Sequence, residues 1–278
     1  MQKLPDLSLD NWLDSRNTIQ SYAKLLSEIR RSLTPTARHW FHLSLHTWAK
    51  GLTTSPIPIY KSPQMNSFEI LLDLVDHRLV IDSNIGTHLE LRLDGQPVEK
   101  LYDNIKPFLK MTLSQVDVDI KSIAIDKYDY DETAIENYAN VLSQLDLYYK
   151  EFAGKLRAGA GPVQLWPDHF DLALLWFSGR AVAGIDPTDD DHADEQMNFG
   201  FSTGDNSINE PYFYITAYPK PFNFTLLDLD LPAYWYSMDF TAIIFHYSDW
   251  IKLKNPKQFL IDFMLDIQEK TRSLMFGA

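Results

Sequence analysis

The stretch that decides the fold is NTIQSYAKLLSEIRRSL, residues 17–33, which returns in altered form as TAIENYANVLSQLDLYY, residues 133–149. In both stretches apolar residues recur every three or four positions, which places them on one face of an α-helix. Ile19 and Ile135 open matching runs 116 residues apart, and Tyr, Ala, Leu and Ser then recur in the same register. The pattern predicts helices over residues 10–33 and after residue 131, and favours an internal repeat over chance convergence of two amphipathic helices.

The match continues beyond each helix. FHLSL at residues 41–45 corresponds to FDLAL at residues 170–174, and short β-rich runs separated by turns follow both. Each half then ends on a further helical face. We therefore predict an α+β fold of two similar halves, residues 1–130 and 131–278, each built as helix, antiparallel strands and helix. A sheet with one apolar face must bury it, so both halves should pack around a shared core as a single compact unit spanning residues 1–278.

Composition narrows the function classes. The 278 residues include 25 Lys and Arg against 38 Asp and Glu, a formal net charge of −13. This surplus argues against nucleic acid as a partner, because affinity for phosphate backbones comes from basic residues. With no cysteine, disulfide scaffolds and thiolate metal sites are excluded. The chain shows neither a signal peptide nor a membrane span, so a soluble cytoplasmic protein with no membrane partner is expected.

The negative charge is concentrated in the second half. Residues 1–130 carry 15 basic and 16 acidic residues, whereas residues 131–278 carry 10 and 22, a net −12. The run from Asp186 to Glu195 contributes six carboxylates and no Lys or Arg. Such a run is typical of a solvated loop. A calcium site is the alternative, but the EF-hand spacing and its central glycine are absent.

Four blocks of sequence resemble a bacterial family catalogued only as a domain of unknown function. They are HWFHLSLHTWAKGLTTSPIPIY (residues 39–60), FEILLDLVDHRLVI (68–81), FDLALLWFSGR (170–180) and EPYFYITAYPKP (210–221). The blocks lie in the same order in both and cover most of the chain. The resemblance implies a soluble bacterial protein and assigns neither an activity nor a catalytic residue.

The candidate site lies in residues 39–49. Read as a strand, this stretch alternates: Phe41, Leu43 and Leu45 form one apolar face. The opposite face combines imidazoles, a hydroxyl and indoles, which suits the wall of a ligand cleft. Its members are Trp40, His42, Ser44, His46 and Trp48. We expect Trp40, His46 and Trp48 to bind a ligand, with Arg38 beside the strand, in a pocket between the two halves.

Acid–base chemistry follows from the residue types. Imidazoles titrate near neutrality, and a neighbouring carboxylate raises their basicity. His169 and Asp171 occupy positions of the second half that correspond to Trp40 and His42, so His42, His169 and Asp171 are the candidate catalytic residues. The alternative is that these side chains are satisfied by hydrogen bonds at the interface of the halves and bind nothing.

A metal site is not expected. In a strand His42 and His46 lie about 13 Å apart, too far to share an ion. As a helix the same stretch would bring His39, His42 and His46 together on one face. The alternation favours the strand, so no metal and no cofactor are predicted.

Two functions remain open. One is a small-molecule-binding protein, or an enzyme that uses His/Asp acid–base chemistry. The other is a non-catalytic interaction or scaffold protein whose aromatic strand faces form a homodimer or partner interface. The sequence also predicts two local features. His77 should be exposed in a hairpin turn, and Thr133 with Glu136 should form a capping box at the second long helix.

Overall fold

The computed structural model describes residues 4–59, 66–112, 118–157 and 159–277; of residues 111 and 112 only the backbone is described. Tyr60, the last residue of the first family-like block, lies outside the described residues. The helices of the described part are α1 (Leu13–Leu33), α2 (Val98–Thr112), α3 (Ile120–Ile123), α4 (Glu132–Lys155), α5 (Tyr247–Trp250) and α6 (Pro256–Phe276). Three short 3-10 helices cover Leu9–Asn11, Arg38–Trp40 and Phe224–Leu226.

Twelve strands complete the described part of the fold. They are β1 (His46–Trp48), β2 (Gly51–Thr53), β3 (Ile57–Ile59), β4 (Asn66–Asp73), β5 (Arg78–Ser83), β6 (His88–Arg92), β7 (Gln164–Trp166), β8 (Asp171–Ala181), β9 (Asp194–Ser202), β10 (Tyr212–Tyr218), β11 (Tyr234–Ser237) and β12 (Thr241–His246). Helices and two antiparallel sheets confirm the predicted α+β class.

The chain divides into two compact units. The N-terminal unit comprises Asp10–Ser143 and Leu165–Phe170; the C-terminal unit comprises Gln144–Gln164 and Asp171–Ala278, with the chain start up to Leu9. Helix α4 passes from one unit to the other after Ser143. The predicted internal duplication stays a prediction.

The N-terminal unit contains a sheet of order β1-β2-β4-β5-β6, with β3 also paired to β4. Long helix α1 buries its predicted apolar face, including Ile19, Tyr22 and Leu26. The Tyr22 hydroxyl donates to the Gln96 carbonyl at 2.5 Å. This bond attaches α1 to the turn that precedes α2.

Two local expectations in this unit need correction. His77 lies in the hairpin turn between β4 and β5, as predicted, but it is buried instead of exposed. Glu136 lies 3.2 Å from its Nε2 and the Tyr130 hydroxyl 3.3 Å from its Nδ1. The capping box at α4 does not form either. Asp131 takes that role by accepting a bond from the Ala134 N–H at 3.1 Å, since a carboxylate ahead of the first turn satisfies its free N–H groups.

The second sheet has the order β11-β12-β10-β9-β8-β7, and all of it belongs to the C-terminal unit except Leu165 and Trp166 of β7. One face of this sheet is covered by helices. Phe152 of α4 lies 4.8 Å from Phe199, ring centre to ring centre, and Phe263 of α6 lies 5.5 Å from Phe245. Successive residues of a strand point to opposite sides, so the neighbours of these phenylalanines lie on the second face.

We call this second side the tyrosine face, because Tyr212, Tyr214 and Tyr218 of β10 all lie on it. Direct cross-strand partners share a face, which identifies the neighbours of these tyrosines. On β9 they are Ser202, Gly200, Asn198 and Gln196; on β8 they are Asp171, Ala173, Leu175 and Phe177; on β12 they are His246 and Ile244.

No described helix is long and apolar enough to cross a membrane.

Candidate functional site

The predicted strand over residues 39–49 is wrong for most of its length, and the helical alternative is wrong as well. Arg38–Trp40 is a 3-10 turn, and only His46–Trp48 is a strand. His39 and Trp40 have φ values of 55° and 58°. This left-handed backbone interrupts the extended conformation on which the alternation depended.

His42 lies in the turn that follows and is buried. The Ala37 N–H donates to its Nδ1 at 3.2 Å, and the His42 carbonyl accepts a bond from Arg30 Nε at 3.0 Å. These bonds serve the backbone of the turn. The imidazole therefore holds the local structure of the N-terminal unit.

Arg30 of α1 accounts for the shape of this turn. Its buried guanidinium also donates to the carbonyls of Phe41, at 3.4 Å, and of Thr54. Burial lowers the pKa of Arg30. One side chain thus ties three carbonyls of the segment 41–54 to the helix.

The predicted ligand-binding residues fall into two groups. Arg38 and Trp40 are exposed, whereas His46 and Trp48 are half-buried on β1, which pairs with β2. The ring centres of Trp40 and His42 lie 6.2 Å apart. Binding by these residues stays a prediction.

His169 and Asp171 do not share a strand. His169 is exposed in the turn before β8, whereas Asp171 is the first residue of β8 and is buried. His42 and His169 belong to the N-terminal unit and Asp171 to the C-terminal one. The predicted pairing of a histidine with Asp171 stays a prediction.

Asp171 has a partner that the sequence did not reveal. The Tyr214 hydroxyl donates to Asp171 Oδ2. The Tyr214 ring crosses Gly200 on the strand between them, where a Cβ would lie 2.2 Å from Tyr214 Cζ. Burial and the negative charge of Asp171 raise the pKa of Tyr214 well above its ordinary value. Tyr214 is therefore a protonated donor at neutral pH.

Asp171 begins a row of polar residues across the tyrosine face. Ser202, Tyr212 and His246 are its successive cross-strand neighbours on β9, β10 and β12. The Tyr212 hydroxyl donates to Asp205 at 2.5 Å. Burial and this hydrogen bond raise the pKa of Tyr212.

His246, at the far end of this row, belongs to a carboxylate–imidazole–phenol chain. Glu210 Oε1 lies 3.2 Å from its Nδ1 without forming a hydrogen bond, and the Tyr234 hydroxyl lies 2.9 Å from its Nε2. The Ser248 hydroxyl donates to the second oxygen of Glu210 at 3.2 Å. An imidazole with a carboxylate and a phenol beside its two nitrogens has the residue types that acid–base chemistry uses.

Further along the tyrosine face, two rows of half-buried residues form what we call the amide patch. The first row is Leu175, Asn198 and Thr216, and the second is Phe177, Gln196 and Tyr218. None of the six side chains carries a charge. The solvated face of an antiparallel sheet is usually polar, so this mixture of aromatic, aliphatic and amide groups is unusual.

Each of the two amides of the patch is oriented by a hydrogen bond that its NH₂ group donates. Asn198 Nδ2 donates to the Tyr214 oxygen at 3.3 Å, and Gln196 Nε2 donates to the Asp191 carbonyl at 3.0 Å. Because the Tyr214 proton is directed to Asp171, its oxygen can only accept from Asn198. Asn198 Oδ1 and Gln196 Oε1 are buried and accept no hydrogen bond from the described residues.

The acidic run borders the patch. Its first part is a loop of turns, as predicted, while Asp194 and Glu195 begin β9. The ring centres of His192 and Tyr218 lie 5.0 Å apart. Ligand atoms of Asp189, Asp191 and His192 all lie within 4.8 Å of one another.

That cluster is explained by internal hydrogen bonds. One carboxylate oxygen of Asp189 accepts from the N–H groups of Asp191 and His192, both at 2.9 Å. The bond from Asp191, followed by those from His192, lowers the pKa of Asp189. The carboxylate thus stabilises the turn.

Sequence reasoning missed Asn198, Gln196, Tyr214, His246 and Glu210. Alternation along β9 and β10 contained part of the signal, since it places Asn198 and Tyr214 away from the phenylalanines. The strand pairing, which the sequence does not show, brings them together.

Comparison with known proteins gives one match. The sequence model of a family described as a family of unknown function (DUF5996) covers residues 4–272. No curated protein and no solved structure matches.

Proposed function

The chain belongs to this family of unknown function, DUF5996, and we propose from its own residues that it binds a small molecule on the amide patch of the C-terminal unit. The observation that carries the proposal is the pair of buried oxygens, Asn198 Oδ1 and Gln196 Oε1, which accept no hydrogen bond from the described residues. An unsatisfied buried acceptor costs about 1–3 kcal/mol. A ligand that displaces the side chains covering these oxygens and donates to both of them recovers this energy.

The surroundings of the two oxygens support the proposal. Phe177 and Tyr218 flank Gln196, and Leu175 and Thr216 flank Asn198. Ligand sites combine apolar and aromatic walls with a few polar groups held in place. Asp171 acts here as a positioning residue, because it fixes Tyr214 and through it the amide of Asn198.

An enzymatic role extends this proposal. The sequence suggested His42, His169 and Asp171 in a pocket between the halves, but the contacts of His42 with Ala37 and Arg30 support a structural role for it. His246, which lies on the same tyrosine face beside Tyr234 and Glu210, is the better-supported acid–base group. We place the protein in the bacterial cytoplasm, a setting that a chain without cysteine supports.

A thermal-shift screen of a small-molecule library tests the binding proposal. Asn198→Leu removes the acceptor, and Asn140→Leu, on the exposed side of α4, is the matched control. A ligand at about 100 times its Kd adds about 2.7 kcal/mol to the free energy of unfolding. We expect compounds that stabilise the wild type and Asn140→Leu but not Asn198→Leu. Hits that stabilise all three proteins equally would count against the patch.

A second function, an interaction protein, is favoured by a different observation. The segment from Phe222 to Phe240 displays large apolar side chains, with Phe222 99% and Met238 80% exposed. It contains β11, which ends the strand order of its sheet. Exposed apolar groups beside a terminal strand are typical of interfaces.

Sedimentation tests this second function. A homodimer formed through this segment predicts a dimer for the wild type and a monomer for Met238→Asp, with an unchanged circular dichroism spectrum showing that the variant is folded. A wild-type monomer at high concentration would exclude the homodimer.

A further inference from the structure

The geometry points to an organic ammonium ion with an apolar or aromatic body as the ligand of the amide patch. This inference rests on the proposed binding function and adds the chemical class of the ligand.

Two buried acceptors of the patch lack a donor among the described residues, Asn198 Oδ1 and Gln196 Oε1. Each amide NH₂ group already donates one hydrogen bond, Asn198 to the Tyr214 oxygen and Gln196 to the Asp191 carbonyl. An ammonium group has up to three donors and no acceptor, so it can donate to these oxygens. An ionised carboxylate or phosphate has no donor to offer them.

The aromatic rings of the patch also favour a cation. Phe177 and Tyr218 are the direct cross-strand neighbours of Gln196, and the Cβ atoms of such neighbours lie about 5 Å apart. The two aromatic side chains therefore border Gln196 on both sides. An ammonium group within about 6 Å of a ring centre gains about 0.5–2 kcal/mol from the ring, so a cation bound beside Gln196 is favoured over a neutral group.

The acidic loop supplies the long-range attraction. Backbone hydrogen bonds lower the pKa of Asp186, through Thr188, and of Asp189, through Asp191. Both carboxylates are therefore ionised at neutral pH. The loop is joined to the patch through the bond from Gln196 to Asp191 and the contact of His192 with Tyr218. Negative potential beside an uncharged site concentrates cations there.

Matched probes separate charge from shape. Benzylammonium and benzyl alcohol have nearly the same size and differ in charge, so calorimetric titration of each isolates the charge preference. We expect benzylammonium to bind about tenfold more tightly than benzyl alcohol at low salt. This preference should shrink in 0.3 M NaCl, because salt of about 0.1 M already screens most of the interaction between exposed charges that lie more than about 10 Å apart.

Two variants at one position sharpen the test. Gln196→Lys, which removes an acceptor and adds a positive charge, should weaken benzylammonium binding by about tenfold more than benzyl alcohol binding, and Gln196→Glu, which keeps an acceptor, should strengthen benzylammonium binding and change benzyl alcohol binding by less than about twofold. Circular dichroism checks that both variants fold. If one fails to fold, Thr216→Lys replaces it.

The outcomes distinguish this inference from the proposed function. Equal or tighter binding of benzyl alcohol, sensitive to Asn198→Leu, overturns the cation inference and leaves the binding proposal standing. An equal affinity of Gln196→Lys and Gln196→Glu for benzylammonium also overturns it. If neither probe binds, the inference is wrong, and the library screen with Asn198→Leu then tests the binding proposal.

Discussion

Tyr214 donates its hydroxyl proton to Asp171 across a strand on which Gly200 leaves room for the ring. The bond links β8 and β10, which are not neighbours in the sheet. It also determines the hydrogen-bonding state of Asn198, because the Tyr214 oxygen can then only accept. The hydrogen bond between Tyr214 and Asp171 thereby orients the Asn198 amide, whose oxygen is the acceptor that a ligand would use.

Gly200→Ala should destabilise the protein by about 1–3 kcal/mol, the usual cost of overpacking. The new Cβ would lie 2.2 Å from Tyr214 Cζ and force the ring to move. Gly154→Ala is the control, because a Cβ there meets nothing within 4 Å and helix propensity gains about 0.8–1 kcal/mol. Urea denaturation measures both. Equal stability of the two variants would disprove the placement of the Tyr214 ring.

Tyr214→Phe should weaken the binding of any patch ligand by about three- to tenfold, because Asn198 Nδ2 loses its acceptor and the amide is free to rotate. The same variant should lower the free energy of unfolding by about 1–3 kcal/mol, since the buried Asp171 carboxylate loses a donor. Tyr236→Phe is the control, because it removes a hydroxyl that lies 3.5 Å from Asp239 Oδ2. Unchanged affinity in Tyr214→Phe would show that Asn198 needs no positioning.

Arg30→Met should lower the free energy of unfolding by about 1–3 kcal/mol or more, because buried carbonyls lose their donor. Arg31→Met, at a half-exposed arginine beside Glu28, should change stability by less than about 0.5 kcal/mol. Chemical denaturation compares them. If the two substitutions cost the same, Arg30 does not hold the segment 41–54.

Alkaline pH should destabilise the fold through its buried tyrosines. Burial raises the pKa of Tyr22, Tyr130, Tyr149, Tyr212 and Tyr214. An unfolded tyrosine loses its proton near pH 10, whereas these residues keep theirs in the folded state. The contribution of these tyrosines to the free energy of unfolding therefore does not change below about pH 10, and the free energy of unfolding falls as the pH rises above it.

Ultraviolet absorbance of tyrosinate during a pH titration checks this. We expect part of the 14 tyrosines to ionise only together with unfolding. Reversible ionisation of all of them in the folded protein near pH 10 would contradict the burial of these hydroxyls.

Much of the fold was predictable because periodicity reports burial directly. The helix predicted over 10–33 begins only three residues later, at Leu13, and ends at Leu33. The stretch 39–49 failed for a physical reason. Its residues do alternate in the sequence, but Arg30 of the preceding helix donates hydrogen bonds to the carbonyls of Phe41 and His42, and two left-handed residues fold the stretch into a turn.

The candidate site was less predictable than the fold. Asp171 was singled out from a comparison of the halves, yet its partner Tyr214 lies 43 residues away in the chain. Asn198 and Gln196 carry no motif, because an amide becomes conspicuous only when its hydrogen bonds can be counted. The register of β8, β9 and β10 brings these residues together, and no local pattern encodes that register.

The side-chain NH₂ signals of Asn198 and Gln196 in a nitrogen-15 NMR titration test the central claim most directly. With a ligand from the screen, such as a small ammonium compound, we predict saturable shifts of both signals at one Kd, with the Tyr218 ring signals moving in step. The shifts of the Gln196 and Tyr218 signals should disappear in Asn198→Leu, and all of the shifts should persist in Asn140→Leu. Saturable shifts confined to other residues, while both amide signals stay unchanged, would contradict the account.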